Sequence, residues 1–298
     1  MNYITTKEAA TGEQVQLSYE DYGSGRPVVL LHGWPLSKEM WEYQVPDLVN
    51  GGLRCILYDR RGFGASSRPW EGYDYDTLAA DLHAVLEQLD LKEAVLVGFS
   101  MGGGEVVRYL SRYGAGRVGR IVLISSVLPY LSKAPDNKEG IDPMVFADMM
   151  TNMQEDRIGF LDDWGKLFFG VNLLKHPVST PLLEYYRHLG AQAMPWAMQQ
   201  CALSFAHTDF RTDVQAVTLP TLIIHGDADK TVPIDASSRR TAAMIRGADF
   251  RVYAGATHGL FYTHRAQLNR DLLEFASVPR PLAQQAGNPA GSGPKSGV

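Results

Sequence analysis

The chain has 298 residues, of which 45% are hydrophobic and 20% charged, and its 28 basic and 33 acidic side chains leave a formal net charge of −5. This composition excludes a disordered chain, a collagen and a coiled coil, and it lacks the positive field that binds nucleic acid or an anionic membrane surface. The two cysteines, Cys55 and Cys201, lie far apart and show no CxxC spacing. They favour a reducing compartment and argue against a disulfide framework or a zinc site.

The N-terminal residues show no basic stretch followed by an apolar core, and no window of the chain approaches 18 uninterrupted apolar residues. The sequence therefore predicts neither a secretory signal nor a membrane span. We expect a cytoplasmic protein with neither nucleic acid nor a membrane as a partner.

Six short apolar runs predict buried strands, because strands covered on both faces show continuous rather than alternating hydrophobicity. These runs are residues 27–31, 54–58, 94–99, 120–125, 221–225 and 250–253. Residues 15–22 alternate between apolar and polar side chains, which is typical of an antiparallel edge strand. Residues 76–89 place apolar side chains on one stripe of a helix. Alternating strands and helices predict an α/β fold with a mainly parallel sheet and helices on both faces.

The alternation stops over residues 128–216, where Met, Phe, Trp and Leu recur at helical spacing in residues 144–153, 160–169 and 182–205. We interpret residues 128–216 as a helical lid inserted into a core of residues 1–127 and 217–276. Beyond residue 276 the chain has dense Gly, Pro and Ser and no aromatic side chain. Residues 277–298 are therefore expected to form a disordered tail.

A Gly-x-Ser-x-Gly pattern occupies residues 98–102, between the predicted strand 94–99 and a helical pattern over residues 105–113. In that context a tight strand-to-helix turn is expected to hold Ser100 in a strained backbone conformation. The turn places the hydroxyl at a helix N-terminus, where backbone N–H groups favour a developing negative charge. A Gly/Ser-rich turn without chemistry is the alternative, but the residues that follow favour a nucleophile.

A serine hydroxyl near neutral pH needs a base, which is usually a histidine oriented by a carboxylate. Asp229 follows the predicted strand 221–225, and His258 follows the predicted strand 250–253. Three strand ends thus present Ser100, Asp229 and His258 at one edge of the sheet, in the chain order known from α/β-hydrolases. Asp227 is the other candidate for the acid, although its position favours a turn former.

The remaining candidate histidines have structural interpretations. His225 lies inside a predicted strand and is expected to be a core histidine with satisfied hydrogen bonds. His264 is expected to cap the last helix or to lie at the surface, and His32 to bond backbone atoms in its loop. None of them suggests metal ligation, so neither a metal site nor a cofactor is expected.

The His-Gly-Trp-Pro loop at residues 32–35 follows another predicted strand end. Acyl transfer needs two donors aimed at the tetrahedral oxygen, and we assign the backbone N–H groups of Trp34 and Met101. Pro35 cannot donate and restricts Trp34, which gives the Trp34 carbonyl a fixed direction; a proline that only shapes the loop is the alternative. The residues expected to line an apolar substrate pocket beside this loop are Pro35, Phe99, Val127, Phe146, Phe160 and Val232.

Five segments together resemble the cofactor-free haloperoxidases, which are α/β-hydrolases also called non-haem chloroperoxidases, aryl esterases or perhydrolases. The segments are the loop at residues 32–35, Tyr-Asp-Arg-Arg-Gly-Phe-Gly-Ala-Ser at 58–66, Gly-Phe-Ser-Met-Gly-Gly-Gly at 98–104, and residues 205–211 and 225–233. The similarity spans residues 1–276. Residues 128–140 and 172–189 depart from the family's pattern, so the natural substrate stays open.

The resemblance implies the same catalytic triad, Ser100, Asp229 and His258, and the same oxyanion donors, Trp34 and Met101. It implies a serine esterase that forms an acyl-enzyme from a small ester or carboxylic acid. Water or hydrogen peroxide then cleaves the acyl-enzyme. With peroxide the product is a peracid, which oxidises halide in solution without a cofactor. In such enzymes a proline after the oxyanion tryptophan is associated with perhydrolysis, and homo-oligomers of three or more subunits are common.

Other functions stay open at this point. A lactonase or a carbon–carbon bond hydrolase would use the same triad, and the sequence does not separate these from an esterase. A non-catalytic ligand receptor on the same fold is disfavoured by the intact Ser, Asp and His. Epoxide hydrolases and haloalkane dehalogenases place Asp where this chain has Ser100, which disfavours both.

Overall fold

The computed structural model describes residues 2–7 and 11–278. The described residues form one sheet, whose strands are β1 (Asn2–Lys7), β2 (Gln14–Gly23), β3 (Arg26–Leu31), β4 (Leu53–Tyr58), β5 (Ala94–Phe99), β6 (Val118–Ile124), β7 (Thr221–Gly226) and β8 (Asp249–Tyr253). The order across the sheet is β1-β2-β4-β3-β5-β6-β7-β8. β2 pairs antiparallel with β1 and with β4, and the other neighbours are parallel. The predicted mainly parallel sheet is confirmed.

The helices of the described part of the chain are α1 (Val45–Asn50), α2 (Tyr75–Gln88), α3 (Met101–Tyr113), α4 (Pro143–Glu155), α5 (Arg157–Phe169), α6 (Thr180–Gln192), α7 (Pro195–His207), α8 (Arg211–Gln215), α9 (Ser238–Met244), α10 (Leu260–Thr263) and α11 (Arg265–Ser277). A 3-10 helix covers Lys38–Trp41. The predicted helix 76–89 is α2, which begins where the Asp74 carboxylate accepts a hydrogen bond from the Thr77 N–H at 2.9 Å. Over residues 2–7 and 11–278, no helix is both long and apolar enough to cross a membrane.

Both faces of the sheet are buried, as the continuous apolar runs predict. Alternate strand residues such as Val29 and Ile121 pack with α2 and α3 on one face, and Val28 and Val122 pack with α1 and α11 on the other. This sandwich of helices leaves the carboxyl ends of the parallel strands as the edge where polar loops gather.

The expected edge strand is not at the edge. Residues 15–22 belong to β2, which pairs with β1 on one side and with β4 on the other, so the prediction that they form an edge strand was wrong. The outermost strand on this side is β1, in which Ile4 is the one fully buried residue. A six-residue strand with a single core contact has too little apolar patterning to be predicted from the sequence.

Residues 128–216, which we call the inserted segment, connect β6 to β7 and contain α4 to α8. Their function as a lid stays a prediction. Residues 182–205 divide between α6 and α7, because Pro195 begins a new helix after an extended Met194.

The structure describes two residues, 277 and 278, beyond the predicted core boundary at residue 276. α11 runs to Ser277, and the carbonyl of Val278 accepts hydrogen bonds from Arg26 at 2.9 Å and from Arg120 at 2.8 Å. The rest of the predicted tail, residues 279–298, lies outside the described residues.

The loop after β4 is tied to the rest of the fold by three consecutive charged side chains that are almost completely buried. Asp59, Arg60 and Arg61 each form an ion pair with a different element; their partners are, in order, Lys38, Glu105 on α3 and Asp81 on α2. The Arg61–Asp81 pair is bidentate, with both N–O distances at 2.7 Å. Because these charges have left water, each depends on its partner for stabilisation.

We expect Asp81→Asn to lower the free energy of unfolding by about 3 kcal/mol, because it leaves the Arg61 guanidinium in the interior without a counter-charge. Urea denaturation measures the loss. The matched control is Asp21→Asn, which breaks the partly exposed pair with Arg54 and is expected to cost under about 1 kcal/mol. Equal losses in the two variants would contradict a structural role for the buried pair.

Candidate active site

Ser100 lies in the turn between β5 and α3, where the Gly-x-Ser-x-Gly pattern predicts it. Its backbone has φ +53° and ψ −116°, a conformation that residues with a side chain seldom adopt. The Ser100 N–H donates to the Ile124 carbonyl at 2.8 Å, which anchors the turn to β6. The turn is so tight that a Cβ on Gly98 would lie 2.6 Å from the Gly102 carbonyl oxygen. Glycine is therefore required at position 98.

The three predicted triad side chains lie in hydrogen-bond contact. Ser100 Oγ is 3.0 Å from His258 Nε2, and His258 Nδ1 is 2.6 Å from Asp229 Oδ2. All three residues are more than nine-tenths buried. The imidazole of His258 packs against the rings of Phe99 and Phe168, each with a centroid distance of 4.9 Å. These contacts hold Nε2 toward the hydroxyl.

The carboxylate of Asp229 has hydrogen-bond donors on both oxygens. Oδ1 accepts the backbone N–H groups of Thr231 and Val232, both at 2.9 Å, while Oδ2 faces His258 and lies 3.3 Å from His225 Nε2. Burial disfavours the charged form and would raise the pKa of Asp229, but His258 and His225 more than offset this and lower the pKa below its ordinary value. Asp229 is therefore a carboxylate at neutral pH.

Asp227, the rival candidate for the acid, has a different environment. It is exposed, and its carboxylate accepts the Gly255 backbone N–H at 2.6 Å. This bond joins the loop after β7 to the loop after β8. The structure brings Asp229 to His258 and uses Asp227 to connect two turns.

His225 is a core histidine with satisfied hydrogen bonds, as the sequence predicts, but it also lies against the acid. Its Nδ1 is 2.7 Å from Ser238 Oγ, and its Nε2 is 2.9 Å from the Val232 carbonyl oxygen. Sequence reasoning missed the additional contact with Asp229. The four-residue spacing between His225 and Asp229, across the end of β7, was the available signal.

The other two histidines contact neighbouring loop groups. His32 Nε2 accepts the Arg60 backbone N–H at 3.0 Å, and its Nδ1 lies 3.0 Å from the Gly33 carbonyl oxygen. Burial, assisted by the nearby Arg60 guanidinium, holds the pKa of His32 well below its ordinary value, so the ring is neutral. His264 lies at the start of α11, where its ring bonds Thr263 Oγ1 at 2.9 Å and does not cap the helix.

The loop that carries Trp34 runs directly past Ser100, since a Cβ on Gly33 would lie 3.3 Å from that of Ser100. The Trp34 indole is fixed by donating to the Met198 carbonyl at 3.0 Å, and the Trp34–Pro35 peptide bond is cis. Met101 is the first residue of α3, where backbone N–H groups have no acceptor within the helix. Both predicted oxyanion residues therefore adjoin Ser100.

A cavity of 640 Å³ opens over Ser100 and His258. Four of the predicted pocket residues line it, namely Val127, Phe146, Phe160 and Val232, and Trp34 joins them. Apolar lining residues that the sequence did not single out include Leu131, Ile141, Met149, Trp164 and Phe205. All five belong to the inserted segment, and the sequence does not say which faces of its helices turn toward the core.

Two predicted pocket residues, Phe99 and Pro35, do not line this cavity, and their assignment was wrong. Phe99 ends β5, where alternation directs its ring to the opposite face of the sheet. There it packs against Trp41 and Phe261, with centroid distances of 6.3 and 5.3 Å. Pro35 faces α6, where a Cβ on Gly190 would lie 3.3 Å from its Cγ. Both residues pack beside the site, on the side away from the cavity.

The cysteines are buried thiols. Cys55 and Cys201 are both unpaired, and burial raises the pKa of each thiol to about 12. In the part of the chain that the structure describes, no group of three His, Cys, Asp or Glu residues is arranged to hold a metal ion.

Comparison with known proteins identifies the family. Residues 26–265 match the model of the alpha/beta hydrolase fold family. The chain belongs to this family. This α/β-hydrolase is 39% identical over 267 residues to the non-heme chloroperoxidase CPO-A1 of Kitasatospora aureofaciens, covering 89% of the chain and 97% of that protein. It is 35% identical over 278 residues to the bifunctional esterase/perhydrolase DCH of Acinetobacter calcoaceticus, covering 92% and 99%.

A solved structure agrees with these relatives. The bromoperoxidase from Bacillus anthracis superposes with a TM-score of 0.89 at 45% identity, covering 93% of this chain and 100% of that chain. The predicted α/β-hydrolase fold and the resemblance to non-haem haloperoxidases and esterases are confirmed. The chain is an enzyme of the α/β-hydrolase type.

The strained turn leads to a stability prediction for two variants that both lack the hydroxyl. Strain of this kind costs about 1–3 kcal/mol, while glycine's extra freedom in the unfolded chain takes back about 0.4–1 kcal/mol. Ser100→Gly should therefore be more stable than Ser100→Ala by about 1 kcal/mol. Urea denaturation of the two variants measures the difference. An alanine variant more stable than the glycine variant would show that the turn is not strained.

Proposed function

We propose that this α/β-hydrolase is a serine hydrolase that cleaves small carboxylic esters through an acyl-enzyme on Ser100. The observation that carries the proposal is the continuous hydrogen-bonded series from Asp229 through His258 to Ser100 Oγ, which ends at an apolar cavity. A relative named an esterase/perhydrolase, aligned over almost its whole length, supports the same chemistry.

In the first half-reaction, His258 Nε2 takes the proton of Ser100 Oγ while the oxygen attacks the ester carbonyl carbon. Asp229 stays ionised, accepts the Nδ1–H of His258 and stabilises the imidazolium that forms. The backbone N–H groups of Trp34 and Met101 donate to the tetrahedral oxygen, each contributing about 3–4 kcal/mol to transition-state stabilisation. His258 then gives its proton to the departing alcohol, and the acyl group remains on Ser100.

In the second half-reaction, His258 takes a proton from water or hydrogen peroxide as that molecule attacks the acyl carbon. Water releases a carboxylic acid, and peroxide releases a peracid; in both cases the proton returns from His258 to Ser100 Oγ. The peracid transfers one oxygen atom to a halide ion outside the site, which gives a carboxylate and a hypohalous acid. This route needs no haem, metal or other cofactor and matches the haloperoxidase names among the relatives.

The cavity suits a small acyl group with an apolar body, since Val127, Phe160 and Phe205 line it. Its walls include residues of α4, α5 and α7, so we propose that residues 128–216 act as a lid on a core of residues 1–127 and 217–276. Pro35 lies outside the cavity. Any effect of Pro35 on perhydrolysis would therefore be exerted through the direction of the Trp34 carbonyl. This role, the cytoplasmic location and the homo-oligomer stay predictions.

The test of the proposed function is peroxide-dependent bromination of a dione reporter, measured with and without acetate. Bromination should require acetate, because the oxidant is the peracid formed from it. Ser100→Ala should reduce both this reaction and p-nitrophenyl acetate hydrolysis by about 10⁴-fold or more, since the nucleophile is lost. Bromination by the wild type without any carboxylic acid, or normal turnover by a folded Ser100→Ala variant, would refute the proposal.

The acid can be identified by a matched pair of substitutions. Asp229→Asn should lower kcat for p-nitrophenyl acetate by about 10³- to 10⁴-fold, because an amide does not stabilise the imidazolium of His258. Asp227→Asn should leave kcat almost unchanged and lower the free energy of unfolding by about 1 kcal/mol, through the weaker bond to Gly255. Ester hydrolysis and urea denaturation of both variants provide the measurement. The reverse pattern would exchange the two roles.

A further inference from the structure

The residue behind the proposed acid is a second buried histidine. His225 lies near the end of β7 with no solvent exposure, four residues before Asp229. Its Nε2 is 2.9 Å from the Val232 carbonyl oxygen and 3.3 Å from Asp229 Oδ2, and its Nδ1 is 2.7 Å from Ser238 Oγ. His225 and His258 therefore share one carboxylate oxygen, with His258 closer at 2.6 Å.

The neighbours of His225 determine which ring nitrogen carries the hydrogen. The Val232 carbonyl only accepts, so Nε2 must be the protonated nitrogen, and Asp229 Oδ2 lies 3.3 Å from the same nitrogen. Nδ1 of a neutral ring is then an acceptor, and the Ser238 hydroxyl donates to it. The Val232 carbonyl thus selects the tautomer with the hydrogen on Nε2, and the Ser238 hydroxyl stabilises it by donating to Nδ1.

We propose that His225 is a positioning residue for the hydrolytic reaction, in which its Nε2–H holds the Asp229 carboxylate in the orientation that receives His258. The inference rests on the proposed function, because it assigns a role within the same triad. It acts through Asp229 and touches neither substrate nor nucleophile.

A neutral donor suits this position. When His258 takes the proton of Ser100, a positive charge develops beside Asp229, and a second cation at His225 would repel it in an interior where charges are weakly screened. An N–H dipole restrains the carboxylate without that repulsion. The same N–H also bonds the Val232 carbonyl, and the N–H groups of Thr231 and Val232 bond Oδ1, so one short loop restrains both carboxylate oxygens.

The experiment compares two replacements of similar length. His225→Gln keeps an N–H donor near the position of Nε2, whereas His225→Met fills the space without one. We expect His225→Met to lower kcat for p-nitrophenyl acetate by about 10- to 100-fold, as the loss of a hydrogen bond to a charged group does. KM should change by less than about 2-fold, because substrate contacts are untouched. His225→Gln should recover most of the lost kcat.

A purely structural role is separated by a double-mutant cycle. If His225 acts through the carboxylate, His225→Met should cause little further loss of kcat in the Asp229→Asn background. A defect in packing would instead reduce kcat by the same factor in both backgrounds. Ser238→Ala, which removes the hydroxyl that donates to Nδ1 and so loosens the ring, should lower kcat in the same direction and keeps the test possible if His225→Met does not fold.

The outcomes distinguish this inference from the proposed function. Equal kcat for wild type, His225→Met and Ser238→Ala, with Ser100→Ala and Asp229→Asn inactive, would overturn only the positioning role. Equal losses in His225→Gln and His225→Met, or additive losses in the cycle, would overturn it as well. Full activity of Ser100→Ala would overturn the proposed function itself.

Discussion

The site depends on one buried negative charge, the carboxylate of Asp229. Removing a carboxylate from water costs several kcal/mol unless hydrogen bonds replace the lost hydration. Here two backbone N–H groups and two imidazoles replace it, and the pKa of Asp229 lies below its ordinary value although the group is buried. Because two of these donors belong to the turn after β7 and one is the His258 imidazole, the carboxylate joins that turn to His258. His258 and, through it, Ser100 are placed relative to that turn.

The sheet topology puts Ser100 and the loop that carries Trp34 side by side. β3 lies between β4 and β5, so the chain leaves β3 and β5 in adjacent loops at the carboxyl edge, where a crevice forms. A buried ion pair then joins the two loops. Arg60 donates to the His32 carbonyl at 2.8 Å and to Glu105 Oε1 at 2.8 Å, in the second turn of α3. The helix that begins after Ser100 is thereby held to the strand end that carries Trp34.

The features of the fold that the sequence predicted are those with strong local patterns of hydrophobicity. Strands such as β5 and β7 are buried along their whole length, so their apolar runs are continuous, and parallel strand ends must meet at one edge. That logic suffices to bring Ser100, Asp229 and His258 together. The cavity walls were predicted only in part, because the rotation of α4, α5 and α7 about their axes is set by packing between distant segments. Phe99 and Pro35 were misplaced for a different reason. Proximity in sequence to the site does not show which way a side chain points.

The inserted segment also restrains the position of His258. β8, the strand before it, is an edge strand in which only Tyr253 is fully buried, so the strand alone restrains the loop weakly. α5 provides the missing restraint, since the Gly259 N–H donates to the Phe168 carbonyl at 2.9 Å and the Phe168 ring packs on the imidazole. The segment that lines the cavity therefore also fixes the proposed base. A change of sequence in α5 that reshapes the cavity will for this reason also act on the position of His258.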